Sequence, residues 1–225
     1  MTELDPSILE ALRRYDTPTM SNAIETFGVK PWDQGFASWE IRSMFPDFEP
    51  MVGYAATVTI RARGEGGPGN QEVMYEHVQR IPSPRVVVVQ DLDDPPGCGA
   101  LWGEVQSTVL KGLGALGTVT NGCVRDLKEV RQIGFQFFAA GVGVSHAYVR
   151  VIDTGIEVKI GGLTVQPGDL IHADQHGVLL IPIEIAAQLP AAADRIIERE
   201  QALISWVRSP EFDPSELAAR RKVQH

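Results

Sequence analysis

The stretch Arg85-Val-Val-Val-Val-Gln-Asp91 places four consecutive valines between charged residues. A short run of β-branched apolar residues is typical of a strand that is buried on both faces, as in a covered parallel sheet. Before it, residues 70–81 have the pattern of a helix capped by Asn70, and apolar residues alternate along a further strand from Val52 onward. The sequence therefore predicts a strand–helix–strand unit at the centre of the fold.

The chain after this unit continues to alternate between helix and strand patterns. Residues 104–113 predict a helix, residues 117–120 predict a short strand, and a turn over residues 121–125 is expected to open another helix. Short strand patterns follow one another from residue 137 to residue 181, with a tight turn at Gly161-Gly162. These patterns indicate mixed sheets with helices on the outside.

The two ends of the chain have helical patterns. Asp5-Pro6 and Thr17-Pro18 each place proline just after a capping residue, which predicts two helix starts. Residues 183–207 form a long amphipathic pattern, which we expect to be interrupted near Pro190. We expect one domain over residues 1–225, with N-terminal helices and a loop over 1–51 and a C-terminal helical arm over 183–225.

Composition excludes several classes of protein. The chain has a net charge of -9, with 44% hydrophobic and 22% charged residues, which is close to the ordinary globular mixture. The acidic balance and the scattered cations disfavour nucleic-acid binding, and no apolar run approaches the roughly 20 residues of a membrane span. The two cysteines, Cys98 and Cys123, fit a reducing compartment, so we expect a cytoplasmic protein.

Two predicted turns place glycine and polar residues just before a helix. The first includes Gly103, Glu104, Val105 and Gln106, whose backbone N–H groups could hold a carboxylate at the helix N-terminus. The second ends in Arg125 and Asp126. An arginine fork binds a carboxylate through two parallel hydrogen bonds, and an aspartate can bind a hard cation. The alternative is that both turns are ordinary capped loops, with Asp126 as a helix cap.

Other residues suggest different chemistry. Arg125 could lower the pKa of the Cys123 thiol, although no histidine stands near it in sequence to act as a base. A Schiff-base aldolase would need a lysine with a lowered pKa, and the lysines to consider are Lys111, Lys128 and Lys159. His172 and His176 flank Asp174 and suggest a metal site, but we favour a structural role around a buried strand. Trp102 could contact a substrate or pack in the core.

Several motifs together resemble the RraA-like family, which includes 4-hydroxy-4-methyl-2-oxoglutarate aldolases and the regulator of ribonuclease E activity. The matching stretches are Gly103-Glu104, Gly114-Ala-Leu-Gly-Thr-Val-Thr-Asn-Gly-Cys-Val-Arg-Asp126, Gly161-Gly162, Val165-Gln-Pro-Gly-Asp169 and Ala173-Asp-Gln-His-Gly-Val178. They occur in consistent order over roughly half of the chain, and they are specific only when taken together. One departure is Asn121, where many relatives have aspartate.

The resemblance implies a fold and a reaction. It implies an α/β fold of the three-layer swivelling β/β/α type, and assembly as a homotrimer or homohexamer with sites between subunits. It further implies a class II, metal-dependent lyase that cleaves a 4-hydroxy-2-oxo acid such as 4-hydroxy-4-methyl-2-oxoglutarate to release pyruvate and also decarboxylates oxaloacetate. The cofactor would be Mg²⁺ or Mn²⁺, and the partner would be a small 2-oxo acid.

The resemblance also implies roles for individual residues. The backbone N–H groups of residues 103–106 would bind the pyruvate portion, Arg125 would bind its carboxylate and Asp126 would ligate the metal. Glu104 is the candidate base, or else the residue that holds a metal-bound water. A glutamate from a neighbour's C-terminal helix, Glu198 or Glu200, would complete the site. The alternative function is a non-enzymatic protein-binding regulator, and the helical arm over residues 183–221 favours the aldolase type.

Overall fold

A computed structural model describes residues 3–64 and 69–222, which fold into a mixed sheet with helices packed against it. The helices are α1 Pro6–Leu12, α2 Thr17–Glu25, α3 Gln71–Arg80, α4 Glu104–Gly112, α5 Leu127–Ile133, α6 Leu189–Val207 and α7 Leu217–Lys222. The strands are β1 Arg42–Ser43, β2 Met51–Arg61, β3 Arg85–Asp91, β4 Ala115–Val124, β5 Gln136–Val142, β6 Arg150–Thr154, β7 Val158–Ile160, β8 Leu163–Val165, β9 Leu170–Asp174 and β10 Gly177–Ile181.

The main sheet has the strand order β1-β5-β4-β3-β2-β9-β10, and β6 pairs with the end of β2. The strands from β2 through β5 are mutually parallel, whereas β9 and β6 pair with β2 in antiparallel fashion. The four valines of β3 lie between two parallel neighbours and are all buried. This explains their apolar run, because a central parallel strand has no solvent-facing side.

The sheet separates two apolar layers. Successive side chains of a strand point to opposite faces, so Val52 and Tyr54 of β2 pack among the helices while Met51 and Ala55 pack on the other face. That second face is covered by the separate antiparallel hairpin of β7 and β8. The result is a hairpin, a main sheet and a helical layer, which confirms the α/β fold with three layers.

The predicted turn over residues 121–125 is wrong, because β4 continues to Val124. The pairing of β4 with β5 shifts register between Thr120 and Cys123, so the strand bulges there instead of ending. The Asn121 amide holds the bulge against β3: its Oδ1 accepts from the Asp91 N–H at 2.7 Å and its Nδ2 donates to the Asp91 carbonyl at 3.0 Å. The side chain completes backbone pairing that the bulge would otherwise lose.

The C-terminal helix also differs from its prediction. Helix α6 begins at Leu189 with Pro190 in its first turn, so the proline starts the helix and does not interrupt it. A short 3-10 helix, Ala186–Gln188, precedes it. Within α6, Leu189, Ala192, Ala193 and Ile196 are buried, whereas Ile204 and Val207 are exposed. The first half of α6 therefore belongs to the domain core, and the second half leaves it as an arm.

None of the helices within residues 3–64 and 69–222 has the length and apolar content that a membrane crossing requires.

Candidate functional site

The two turns of the sequence meet at one small pocket. Strand β4 ends at Val124, which forms a parallel bridge with Trp102, and the Arg125 N–H donates to the Trp102 carbonyl at 3.0 Å. This backbone contact brings the start of α4 beside Arg125 and Asp126. The pocket has a volume of about 200 Å³ and is lined by Gln71, Leu101, Gly103, Val105, Gln106, Arg125, Asp126, His146 and Val149.

Asp126 connects the two turns through its side chain. Its Oδ2 accepts a hydrogen bond from the Glu104 N–H at 3.0 Å. It occupies the N-cap position of α5 with φ 56°, a left-handed conformation, and makes no side-chain hydrogen bond to that helix. The alternative of an ordinary cap is therefore wrong for α5, because the carboxylate stabilises the N-terminus of α4 instead.

Gly103 is required by the closeness of these two side chains. A Cβ built on Gly103 would lie 2.4 Å from Asp126 Oδ2 and 3.2 Å from Arg125 Nε. Real side chains do not approach that closely, so any larger residue would displace the carboxylate or the guanidinium. The glycine thus allows Asp126 and Arg125 to lie directly against the start of α4.

Several hydrogen-bond donors around the pocket have no partner in the part of the chain that the structure describes. Arg125 Nε and Gln106 Nε2 are buried, and neither has a hydrogen-bond partner among the described residues. The first four N–H groups of a helix also lack intrahelical acceptors. In α4 the Glu104 N–H is taken by Asp126, which leaves those of Val105 and Gln106 for a ligand. Buried donors without acceptors cost free energy, so this arrangement favours binding of an anion.

Glu104 differs from the other predicted site residues because its side chain does not line the pocket. Its side chain is exposed, and it is not among the residues that line the pocket. Its described hydrogen bonds are made by its backbone: the N–H donates to Asp126 and the carbonyl accepts from the Thr108 hydroxyl at 2.8 Å. Glu104 is nevertheless the first residue of α4 and directly follows Gly103, which lines the pocket. Its role as base stays a prediction.

Two polar residues of the pocket were missed by sequence reasoning. Gln71 begins α3, and His146 lies in the loop between β5 and β6. The His146 carbonyl accepts from the Val149 N–H at 3.1 Å, and its Nδ1 lies 2.6 Å from the Ala147 carbonyl. With Nδ1–H donating to that carbonyl, Nε2 remains available to a ligand. Neither residue belongs to a recognisable motif, and no pattern could have placed them here.

The loop that contains His146 is held by the segment before α4. The Ala100 N–H donates to the Ser145 carbonyl at 2.9 Å, and a Cβ on Gly99 would lie 2.5 Å from the His146 carbonyl oxygen. Only glycine permits this approach of the two backbones. The position of His146 is therefore set by the chain that leads into the site.

The thiol hypothesis does not agree with the electrostatics of Cys123. Burial raises the pKa of the Cys123 thiol, and the negative charge of Asp91 raises it further. The expected lowering by Arg125 is therefore wrong. Since the thiolate is the nucleophile, the raised pKa disfavours thiol chemistry at this position.

The candidate lysines lie away from the pocket. Lys111 donates to the Ile133 carbonyl at the end of α5, Lys128 lies on the exposed side of α5 and Lys159 is exposed on β7. None of the three lines the pocket.

Trp102 is only 1% exposed and stacks on Phe135 with ring centroids 5.5 Å apart. Its side chain therefore packs in the core, while its backbone positions Arg125.

His172 and Asp174 contact the N-terminal helices, and His176 contacts Asp174. His172 is fully buried, with Nδ1 3.0 Å from Thr17 Oγ1 and Nε2 3.3 Å from the Leu12 carbonyl. Asp174 accepts hydrogen bonds from the N–H groups of Thr17 at 2.9 Å and His176 at 2.8 Å. Burial alone would raise the pKa of Asp174, but these hydrogen bonds outweigh it and lower the pKa. The cluster attaches α1 and α2 to β9.

A divalent cation is compatible with the donors of the pocket. Within residues 3–64 and 69–222, no three His, Cys, Asp or Glu side chains are grouped so as to hold a metal ion. Asp126 is a single half-buried carboxylate on the pocket wall, with one oxygen engaged by a backbone N–H. Mg²⁺ keeps several waters and is commonly bound through one or two carboxylates and the substrate. The donor set therefore fits a hard cation that shares its coordination with water and a ligand.

Comparisons with known proteins agree with this fold. A "Putative 4-hydroxy-4-methyl-2-oxoglutarate aldolase" of Halalkalibacterium halodurans is 26% identical over 189 residues, which cover 81% of this chain and 80% of the relative. Protein DlpA of Legionella pneumophila is 26% identical over 186 residues, or 79% of this chain. This chain spans only 28% of the length of DlpA and 50% of that of MJ0644 of Methanocaldococcus jannaschii.

Solved structures share the architecture at low sequence identity. An uncharacterized protein from Pseudomonas syringae has a TM-score of 0.75 at 24% identity, and the match covers 99% of this chain and 96% of that one. RraAS2 of Streptomyces coelicolor, described as an unusual member of the RNase ES inhibitor RraA protein family, has a TM-score of 0.70 at 20% identity, covering 89% and 97%. The family model "RraA-like: Aldolase/RraA" matches residues 17–180. Because that match includes most of the chain, the protein belongs to the RraA-like family.

Proposed function

We propose that the chain is a divalent-metal-dependent lyase that releases pyruvate from a 4-hydroxy-2-oxo acid by a retro-aldol reaction and also decarboxylates oxaloacetate. The names of several relatives support an aldolase activity. The proposal rests mainly on one observation: Arg125, whose buried Nε has no hydrogen-bond partner among the described residues, lines a pocket beside a helix N-terminus. A carboxylate would satisfy these donors.

Each residue of the site has a defined task in this proposal. The guanidinium of Arg125 and the N–H groups of Val105 and Gln106 bind and orient the carboxylate of the substrate. Asp126 would hold Mg²⁺ or Mn²⁺, which when bound supplies a Lewis acid for the 2-oxo group. Gly103 keeps the Asp126 carboxylate against the start of α4. The substrate is thereby fixed at its acid end, and its C4 hydroxyl points toward the remaining lining.

The bond changes follow from this orientation. A base, Glu104 directly or through an ordered water, takes the proton of the C4 hydroxyl. The C3–C4 bond breaks, its electron pair moves toward the 2-oxo group, and C4 leaves as an aldehyde or ketone. C3 then takes up a proton, so that pyruvate is formed. Oxaloacetate would lose CO₂ by the same movement of electrons.

We also propose that the site is completed by a second copy of the chain, in a homotrimer or homohexamer. The pocket is small and open on one side, and the arm of α6 has exposed Glu198 and Glu200. A carboxylate from a neighbouring arm could order the water next to Glu104.

The direct test is a coupled assay for pyruvate with 4-hydroxy-4-methyl-2-oxoglutarate and with oxaloacetate, before and after treatment with EDTA. We expect turnover that is lost on chelation and restored by Mg²⁺ or Mn²⁺. Asp126→Ala should lose at least 100-fold in kcat, because one ligand holds the cation, while Asp33→Asn, at an exposed aspartate, should behave as the wild type. Turnover that survives full chelation would contradict the proposal. No pyruvate from either compound would favour the non-enzymatic regulator.

A further inference from the structure

We infer that the side-chain amide of Gln106 binds the substrate carboxylate together with Arg125, and that Tyr75 is the positioning residue that orients this amide. The inference rests on the proposed function and deepens it. In that function Gln106 contributes only its backbone N–H group, and Tyr75 has no task. The inference therefore adds one binding group and one positioning group to the acid end of the site.

Gln106 is an enclosed residue in the wall of the pocket. It lies in the first turn of α4 and lines the pocket together with Arg125. The residue is only 7% exposed, and its Nε2 is buried without a hydrogen-bond partner among residues 3–64 and 69–222. The same holds for Arg125 Nε. A carboxylate has two acceptor oxygens, so one ligand group can satisfy both of these donors.

The orientation of the Gln106 amide is set by a residue of α3. The Tyr75 hydroxyl donates a hydrogen bond to Gln106 Oε1 at 2.9 Å. The oxygen and the nitrogen of an amide occupy separate branches of one plane, so this bond leaves Nε2 directed away from Tyr75. Without the bond the amide could reverse and present its oxygen to an anion. Tyr75 thus determines that Gln106 acts as a donor.

A second glutamine extends this contact into a network. Gln71 lies one turn before Tyr75 on α3, and its Oε1 is 3.1 Å from the Tyr75 hydroxyl. A hydroxyl has one proton, which serves one amide oxygen at a time, and the contact to Gln106 is the shorter. The half-buried Gln71 can reverse its amide and donate to the hydroxyl oxygen. Hydrogen bonds in such a chain polarise one another, which makes Gln106 Nε2 a stronger donor.

The network lies within one chain. Gln71, Tyr75 and Gln106 belong to the same protomer, so the orientation of the amide does not depend on how copies of the chain assemble. The charge of the ligand favours the same orientation, because a carboxylate is attracted by N–H groups. Helix α3 is thereby connected to the carboxylate of the substrate through a single hydroxyl.

The experiment measures the dissociation constant of pyruvate for the full chain in the presence of Mg²⁺ by calorimetry. Gln106→Met keeps the length of the side chain and the backbone N–H, and it removes both polar atoms. We expect its Kd for pyruvate to be about tenfold higher than that of the wild type, since a hydrogen bond to a charged group is lost. Gln79→Met, at an exposed glutamine one turn beyond Tyr75, should bind pyruvate as the wild type does. Equal or tighter binding by Gln106→Met would overturn the inference.

A second variant tests the positioning task. Tyr75→Phe removes only the hydroxyl, and we expect it to raise the Kd for pyruvate about fivefold because the amide is no longer oriented. In the Gln106→Met background the same change should have no further effect on Kd, since groups that act through one another are not additive. Thermal unfolding of the wild type, both single variants and the double variant records any general loss of stability. Additive effects on Kd would show that Tyr75 does not act through Gln106.

The coupled assay distinguishes failure of this inference from failure of the proposed function. Metal-dependent pyruvate release by the wild type, with an unchanged pyruvate Kd in Gln106→Met, would reject only the task of Gln106. Weaker pyruvate binding by Gln106→Met without turnover of either substrate would support the carboxylate contact and reject the lyase reaction. A wild-type protein that binds no pyruvate would reject both.

Discussion

The packing around Gly103 leaves no space for a side chain at this position. A Cβ at this position would lie 2.4 Å from the Asp126 carboxylate and 3.2 Å from the Arg125 guanidinium. The φ of Gly103 is -154°, an extended conformation that any residue can adopt. The requirement for glycine therefore comes from the neighbouring side chains and not from the backbone.

We accordingly predict that Gly103→Ala folds but loses about 100-fold or more in kcat/KM, because displacement of reacting groups by about 1 Å has effects of that size. The matched control is Gly112→Ala at the other end of α4, where an added Cβ meets nothing within 4 Å. That change should leave turnover unchanged and favour the helix slightly. Steady-state kinetics and thermal unfolding of both variants provide the check, and full activity of Gly103→Ala would refute the packing argument.

Glu104 and His146 can be distinguished by their effects on turnover. If Glu104 is the base, Glu104→Gln should lower kcat by about 100-fold or more and leave KM nearly unchanged. If His146 binds the C4 hydroxyl, His146→Gln should raise KM several-fold and leave kcat nearly unchanged. Glu129→Gln, at an exposed glutamate in the first turn of α5, is the control. The reverse pattern would identify His146 as the base.

These residues also show what sequence could and could not predict about the site. Arg125 and Asp126 are adjacent in a motif, and their side chains do line one pocket with Gly103. Gln71 and His146 stand alone in sequence, more than 50 residues from one another. The pairing of β2 with β3 and β6, together with a bridge between Gly69 and Arg150, brings their segments together, and such distant pairing has no local pattern.

Among the structural elements, the attachment of α1 and α2 to β9 depends on a neutral histidine. Burial lowers the pKa of His172, although the hydrogen bond to the Leu12 carbonyl and the charge of Asp174 oppose the shift. Below the ordinary histidine pKa of about 6.5, the unfolded chain binds a proton that the folded chain does not. Stability conferred by His172 is therefore complete above that value and is lost as the pH falls from it toward the lowered pKa.

We predict that the free energy of unfolding decreases between pH 7 and pH 5, with a contribution from His172 of at most about 1.4 kcal/mol per pH unit, the limit for one proton. Urea denaturation at several pH values measures this. His172→Asn should be less stable at pH 7 but should show a shallower dependence on pH. Thr17→Val removes the hydroxyl partner and keeps the histidine, so it should retain a steep dependence. An unchanged slope in His172→Asn would assign the acid sensitivity to other groups.

Elements with strong periodicity were predicted well, and the errors occurred where side chains override local preference. The β3 strand and the helix after Asn70 are present, since an apolar run and an amphipathic pattern each have one favourable solution. The predicted cap is wrong, because Asn70 precedes α3 in a left-handed conformation and makes no side-chain hydrogen bond to that helix. The glycine of Asn121-Gly122 suggested a turn. The Asn121 amide instead pairs with β3 and keeps β4 extended, a contact that depends on a strand 30 residues away.

For the molecule as a whole, the second half of α6 leaves the domain core as an arm. Its distal end folds on itself: Trp206 and Phe212 have ring centroids 5.0 Å apart, and the Arg220 guanidinium lies 4.4 Å from the centroid of the Trp206 ring. The apolar side chains of Ile204 and Val207 remain exposed. These features support contact of the arm with another copy of the chain.

We predict that two inactive variants restore activity when their subunits are mixed. Asp126→Asn removes the metal ligand of one protomer, and a Glu198→Gln, Glu200→Gln double variant removes the carboxylates of the arm. If the site is shared between subunits, random co-assembly at equal amounts should recover about a quarter of wild-type activity, since a cyclic arrangement leaves that fraction of sites intact. Co-expressed and separately purified samples would be compared by pyruvate release and by sedimentation. No recovery in a verified mixed oligomer would show that each site is formed by one chain.

The position of β2 in the sheet determines when the chain can complete its fold during synthesis. This strand is buried over nearly its whole length, and it pairs with β9 through residues 51–54 and with β6 through residues 58–61. Those partners emerge from the ribosome about 100 residues later, so the longest strand can pair with β3 but keeps its other edge open until they are synthesised. Contacts between such distant segments slow folding, and the exposed edge invites association with other chains. A nascent chain that stalls before Leu170 should therefore aggregate, and rapid translation or a chaperone that covers β2 should raise the yield of active protein.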